Sequence, residues 1–270
     1  MFLFIAERKE VLLVTGRDNS PRIDPNVEIS FDIGKQVEIV DFFGQPKKCK
    51  AGRNYPTGLQ KAMGGLLNNQ LVICGGLRSI GTASVTNQCQ RLGNSGQWSL
   101  FGGGLKVWRI GASSTTVTIQ GEDFLWITGG IDGSLLGPGQ IQDGRLKSTE
   151  LVSSSGSVTS GTNLPEVRLN HCMIVINNHV MVIGGYQDWR VTSDFGRSVV
   201  IFDSEDFSHE NGPALIKKRH SHACSTMVSP AHGGRMVAVV AGGYEDGSDT
   251  AEILDYTMSR STWQLSEYYL

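Results

Sequence analysis

The sequence predicts an all-β chain of repeated four-stranded antiparallel units, and three observations carry that expectation. A short apolar run leads straight into a glycine pair four times: Leu71-Val72-Ile73-Cys74-Gly75-Gly76, Phe124-Leu125-Trp126-Ile127-Thr128-Gly129-Gly130, Val180-Met181-Val182-Ile183-Gly184-Gly185 and Val237-Ala238-Val239-Val240-Ala241-Gly242-Gly243. Counted between first glycines, the steps are 54, 55 and 58 residues, a period that marks a repeat architecture. Glycine is abundant, 34 of 270 residues against a usual ~7%, and it falls at the ends of apolar runs and in turns. No segment keeps a three-to-four-residue apolar period over three turns, so helix is nearly absent.

The glycine pairs serve as a ruler for the other elements. About seven residues before the pair, two copies carry Asn68-Asn69 and Asn177-Asn178, residues that tolerate the positive φ of a tight hairpin turn. An apolar strand precedes each turn, as at Thr115 to Ile119 and Cys172 to Ile176, so turn and flanking strands make one hairpin per repeat. A third strand follows the polar loop after the pair, as in Val37-Glu38-Ile39-Val40-Asp41, Thr149-Glu150-Leu151-Val152, Val199-Val200-Ile201-Phe202-Asp203 and Ala251-Glu252-Ile253-Leu254-Asp255. Trp98 and Trp263 anchor a fourth strand in two repeats. A weaker first copy ends in Thr15-Gly16, 59 residues before Gly75.

A four-stranded sheet repeated five times, with glycine where strands crowd, fits a β-propeller. The residues resemble the kelch repeat: a strand-terminal Gly-Gly, an aromatic soon after it (Tyr186 and Tyr244), and a Trp about twenty residues on, Trp98 and Trp263 lying 23 and 21 residues past Gly75 and Gly242. The resemblance implies a single propeller domain over 1–270, with five blades at about 1–52, 53–107, 108–166, 167–217 and 218–270. Such a ring closes directly or forms part of a six-bladed one. The sequence departs from the pattern at Gly16, which stands alone, at Leu77, where an aromatic belongs, and in the third and fourth repeats, which lack the Trp.

Bulk properties exclude some functions. The net charge of −2, with no basic block, argues against an electrostatic footprint for nucleic acid. Purely apolar stretches such as Met236 to Ala241 are too short to span a membrane, so no membrane insertion is expected. The opening Met1 to Ala6 lacks the features of a signal peptide, and no Asn-x-Ser/Thr sequon occurs, which favours a cytoplasmic setting unless the chain starts partway through a longer one. Of five cysteines, Cys74, Cys89, Cys172 and Cys224 read as small buried hydrophobes, with a cross-strand Cys74–Cys89 disulfide also conceivable.

Candidate chemistry is sparse. In a strand, His220, His222 and Cys224 project from one face and form a candidate metal set. Against it, Arg219-x-x-His222 repeats Arg168-x-x-His171, which points to a structural histidine, and no cofactor is expected. Arg109, Arg168 and Arg219 sit just before the first strands, either as an anion- or carboxylate-binding rim or as partners of a neighbouring blade's carboxylates. Asp132, Asp188 and Asp246 follow glycine pairs and are candidate binding residues, calcium being the ligand in view, although Asp-Gly chemistry and the lack of an EF-hand loop favour turns. Trp189 is a candidate exposed anchor for a partner. No nucleophile or acid–base motif appears, so the expected function is a non-catalytic scaffold presenting interblade loops to a protein partner. The alternatives are a propeller enzyme, galactose-oxidase-like or sugar-active, and a secreted recognition protein.

Overall fold

The computed structural model describes the strands at 2–5, 10–14, 37–41 and 49–51, then residues 54–78, 85–135, 144–187, 194–246, 249–256 and 261–266. A first sheet comprises β1 (Phe2–Ile5), β2 (Glu10–Val14), β3 (Val37–Asp41) and β4 (Cys49–Ala51) in sequential order. Four further sheets repeat this order and are arranged as the blades of a propeller.

Blade two holds β5 (Met63–Leu67), β6 (Gln70–Cys74), β7 (Cys89–Leu92) and β8 (Trp98–Leu100). The short β9 (Arg109–Ile110) leads into blade three, which holds β10 (Ser113–Ile119) and β11 (Glu122–Thr128). A short β12 (Ile131–Asp132) pairs back on β9, and β13 (Thr149–Ser153) and β14 (Val158–Ser160) complete that blade. Blade four holds β15 (Cys172–Ile176), β16 (His179–Ile183), β17 (Val199–Asp203) and β18 (His209–Asn211). Blade five holds β19 (Ala223–Ser229), β20 (Arg235–Ala241), β21 (Ala251–Leu254) and β22 (Gln264–Leu265). All pairings within the sheets are antiparallel, and the described residues form only short 3₁₀ turns besides strands. None of their helices is long and apolar enough to cross a membrane.

The hairpins form where the asparagines demand them. Asn68, Asn69, Asn177 and Asn178 have φ of 48, 59, 50 and 62°, the left-handed geometry that two-residue turns require. Alternation then sorts side chains to two faces, and successive blades bury those faces against each other. Met63, Val72 and Cys74 of blade two meet Leu125, Ile127 and Val152 of blade three. Trp126 of blade three meets Val180, Val182 and Phe202 of blade four, with edge contacts to Phe202 and Phe207. Ile174, Met181 and Ile201 of blade four meet Ala238, Val240 and Leu254 of blade five. Trp263 closes that last layer and donates its indole N–H to Pro213 O at 2.9 Å. Trp98 packs edge-on against Tyr55.

The glycine pair is the docking point for the next blade. The second glycine's N–H donates to the carbonyl of the residue opening the following blade: Gly76 to Arg109, Gly130 to Arg168 and Gly185 to Arg219, at 3.0, 2.9 and 2.8 Å. The first glycine makes room for the same carbonyl. A Cβ on Gly75 would stand 2.9 Å from Arg109 O, and one on Gly184 would stand 2.7 Å from Arg219 O.

The cysteine expectation needs correction. Cys74 and Cys89, directly opposite on β6 and β7, form a disulfide with their Cα atoms 4.0 Å apart. Cys172 and Cys224 form a second disulfide between two blades, Cα atoms 6.0 Å apart. Two buried strand positions in register, and two inner strands side by side, bring sulfurs together that the sequence separates by 15 and 52 residues.

Candidate functional site

The lead-ins to the first strands gather at one end of the four blades, around a central channel of about 830 Å³. Its walls are the inner strands β5, β10, β15 and β19. At its mouth Lys61, Gly111, Asn170 and Ser221 occupy equivalent places, all left-handed with φ of 53, 63, 49 and 54°. Each turns the chain from the lead-in into the inner strand. The backbone closes part of a girdle there, with Asn170 N–H donating to Gly111 O at 2.8 Å and Ser221 N–H donating to Asn170 O at 2.7 Å.

Two residues before three of these positions, Gly111, Asn170 and Ser221, stand the arginines read as an anion rim. They form no rim: Arg109, Arg168 and Arg219 are 0, 2 and 0% exposed. Arg109 Nε donates to Glu150 Oε2 at 2.7 Å, and its terminal nitrogens donate to Gly129 O, Ser148 O and Ser148 Oγ. Arg219 repeats this with Glu252 Oε1 at 2.9 Å, Gly242 O, Thr250 O and Thr250 Oγ1. The carboxylates also collect backbone donors, Lys106 N–H on Glu150 and the Ile216 and Lys217 N–H groups on Glu252. The partner is thus the blade's own third strand, not a neighbouring blade's. Each arginine clamps its lead-in to the strand behind the glycine pair.

Blade four builds the clamp differently. Val200 takes the place of Glu150 and Glu252, and Pro165, which has no N–H, stands where Lys106 and Ile216 donate. Arg168 instead donates to Gly184 O and Ser198 Oγ at 2.6 and 2.8 Å, with its guanidinium 4.3 Å over the Phe195 ring. Burial lowers its pKa to about 10, opposed by the Glu166 carboxylate. A ring face has replaced an ion pair.

The metal set is not assembled. Cys224 is oxidised to Cys172, His222 is buried over Gly184, and His220 lies between Tyr186 at 5.0 Å and the stacked Tyr244 at 5.4 Å. Among the described residues no group of three His, Cys, Asp or Glu could hold a metal ion. His171 and His222 both sit against the preceding blade's first glycine, and His171 Nε2 bonds Thr128 Oγ1 at 2.8 Å. Desolvation, with neighbouring arginines adding to it, pushes His171 well below the ordinary histidine value and His222 down to about 3. Both are neutral structural groups.

Asp132 behaves as turn chemistry, its Oδ1 accepting from Ser134 N–H and Oγ–H at 2.9 and 2.6 Å. Asp246 is exposed. Asp188 and Trp189 lie outside the described residues. Exposed apolar side chains at this end include Trp108, 42% exposed, and Leu135, 44% exposed; Gly133 N–H, two residues before Leu135, donates to Trp108 O. Tyr244, at the equivalent end of blade five, is 66% exposed. Trp108 directly precedes the buried Arg109 in the lead-in, so one residue of that segment is clamped inward while its neighbour is exposed.

No protein-family model and no curated protein matches this chain.

Proposed function

We propose that this chain is a non-catalytic, kelch-type propeller that binds a protein partner through the face where the lead-ins meet the loops after the glycine pairs. The observation that carries the reading is Trp108, exposed on a lead-in that the buried Arg109 clamp holds in place, with the exposed Leu135 on the loop after the same blade's glycine pair. Large, rigid aromatic side chains are the usual anchors of protein interfaces, and a fixed scaffold lowers the ordering cost of binding. The kelch assignment rests on the spaced glycine pairs and the fourth-strand tryptophans, with the first sheet as the fifth blade of a ring that closes directly or belongs to a six-bladed one. Two disulfides favour an oxidising compartment and therefore an extracellular or secretory setting.

The test is affinity capture from secretory extracts with the wild-type chain and with Trp108→Ala, each captured protein being quantified. A partner whose recovery falls about tenfold or more in the variant supports the reading. Captured proteins indifferent to Trp108→Ala, Leu135→Ala and Tyr244→Ala refute the surface. Stoichiometric copper or zinc in the purified protein would refute the non-catalytic assignment.

A further inference from the structure

We propose that the Cys172–Cys224 disulfide is a reducible latch between the inner strands of blades four and five, whereas Cys74–Cys89 is a closed structural bond. The two bonds differ first in access. Cys74 and Cys89 are buried in the layer between blades two and three, 0 and 1% exposed. Cys172 and Cys224 are half-buried, and both belong to the wall of the central channel. A channel of about 830 Å³ admits a small dithiol.

They differ next in what they tie. Inner strands of blades two and three are held by hydroxyls: Ser114 Oγ bonds both Gly64 N–H and Gly64 O at 2.9 Å, and Thr116 Oγ donates to Leu66 O at 2.8 Å. Blades three and four are joined by the Thr128–His171 contact. At the junction of blades four and five the disulfide takes that part. Once it opens, Gly185 N–H on Arg219 O, Ser221 N–H on Asn170 O and the apolar layer of Ile174, Met181, Ile201, Val240 and Leu254 still hold the blades. Reduction therefore loosens the channel wall without detaching a blade.

The chemistry is thiol–disulfide exchange with an external dithiol. One reagent thiolate attacks a cysteine sulfur, the S–S bond breaks, and the other cysteine leaves as thiolate and takes a proton. The reagent's second thiol then displaces the bound cysteine and closes the reagent's own disulfide. Two electrons and two protons pass from the dithiol to Cys172 and Cys224. The latch is independent of what the propeller face binds.

The experiment treats the oxidised full chain with dithiothreitol under native conditions, quenches by alkylation at intervals and reads each cysteine by peptide mass spectrometry. Cys172 and Cys224 are expected to label about tenfold or more faster than Cys74 and Cys89. Backbone amide exchange should rise in 173–176 and 223–228 and stay unchanged in β6 and β7. The variant carrying Cys172→Ser and Cys224→Ser should show the same exchange pattern without reductant; if it does not fold, the reductant series decides. Equal labelling of the two pairs, labelling only at the rate of global unfolding, or unchanged exchange in 173–176 and 223–228 after reduction would each overturn the latch.

Discussion

Replacing Glu252 by valine, the residue that blade four already carries at position 200, should be one of the most damaging single changes in blade five. Glu252 and Arg219 are both fully buried, with side-chain exposures of 0% each. The substitution removes the acceptor of three hydrogen bonds, from Ile216 N–H at 2.6 Å, Lys217 N–H at 3.1 Å and Arg219 Nε at 2.9 Å. It also deprives a desolvated guanidinium of its carboxylate, while its bonds to Gly242 O, Thr250 O and Thr250 Oγ1 remain. Breaking a buried pair from one side costs about 3–5 kcal/mol, more than the pair contributes net, because the surviving charge remains buried. Urea unfolding of wild type, Glu252→Val, Arg219→Met and the double variant measures this directly. Each single change should cost about 3 kcal/mol or more, and the double should fall short of the sum by about 2 kcal/mol, since neither charge is then stranded. The recovery is incomplete because Gly242 O and Thr250 O lose their donor. A cost below about 1 kcal/mol for Glu252→Val, or strict additivity, would refute the argument from buried charge.

Other perturbations follow from the same junctions. Gly184→Ala places a Cβ 2.7 Å from both Arg219 O and His222 Cε1 at a φ of +60°, and should cost about 3 kcal/mol. Gly233→Ala has φ +68° but nothing within 4 Å, so it should cost only about 1 kcal/mol; equal effects in thermal unfolding would refute docking as the role of the pair. The depressed histidines make the fold acid-sensitive. Because native His222 titrates near 3 rather than 6.5, the unfolded chain binds more protons in between, and stability is full above about 6.5 and lost as pH falls toward 3. At pH 5 the loss from His222 alone is about 2 kcal/mol, with His171 acting in the same direction, and a flat urea midpoint from pH 7 to 5 would contradict it. Opening the 52-residue loop of Cys172–Cys224 should lower stability by about 4 kcal/mol and the 15-residue loop of Cys74–Cys89 by about 3 kcal/mol, checked by denaturation of the paired serine variants.

What was legible in the sequence is what repeats locally. The glycine spacing located all four docked sheets, and the asparagine pairs located two of their hairpin turns, because both signals arise from backbone geometry within a few residues. The arginine clamps were legible as a repeated position but not as a role. Arg109 meets Glu150 across 41 residues, and Arg219 meets Glu252 across 33, distances over which no local pattern carries information. A signal did exist: glutamate stands second in the third strand of the two blades with an ion-paired arginine, and valine stands there in the blade without one. The interblade disulfide was hidden for the same reason. Its cysteines stand first and second in the inner strands of successive repeats, which is informative only after those strands are known to lie side by side.

The junctions are therefore built in two layers that obey different rules. The backbone layer is uniform: at each of three junctions a glycine amide takes the next blade's opening carbonyl, and any side chain on the first glycine would collide with that carbonyl. The side-chain layer is free to vary, and it does, with hydroxyls between blades two and three, a threonine–histidine contact between three and four, and a disulfide between four and five. Blade four shows how far such variation can go, exchanging carboxylate, amide donor and ion pair together for Val200, Pro165 and the Phe195 ring. Changing only one member would strand a buried charge or an unpaired amide, so these groups must change as a set. Whichever set is used, the arginine of the lead-in is held twice, its carbonyl by the preceding blade's glycine amide and its guanidinium by acceptors of its own blade. Trp108, exposed beside the doubly held Arg109, thus stands on a fixed stretch of backbone, and under the proposed function that fixed backbone lowers the ordering cost of binding.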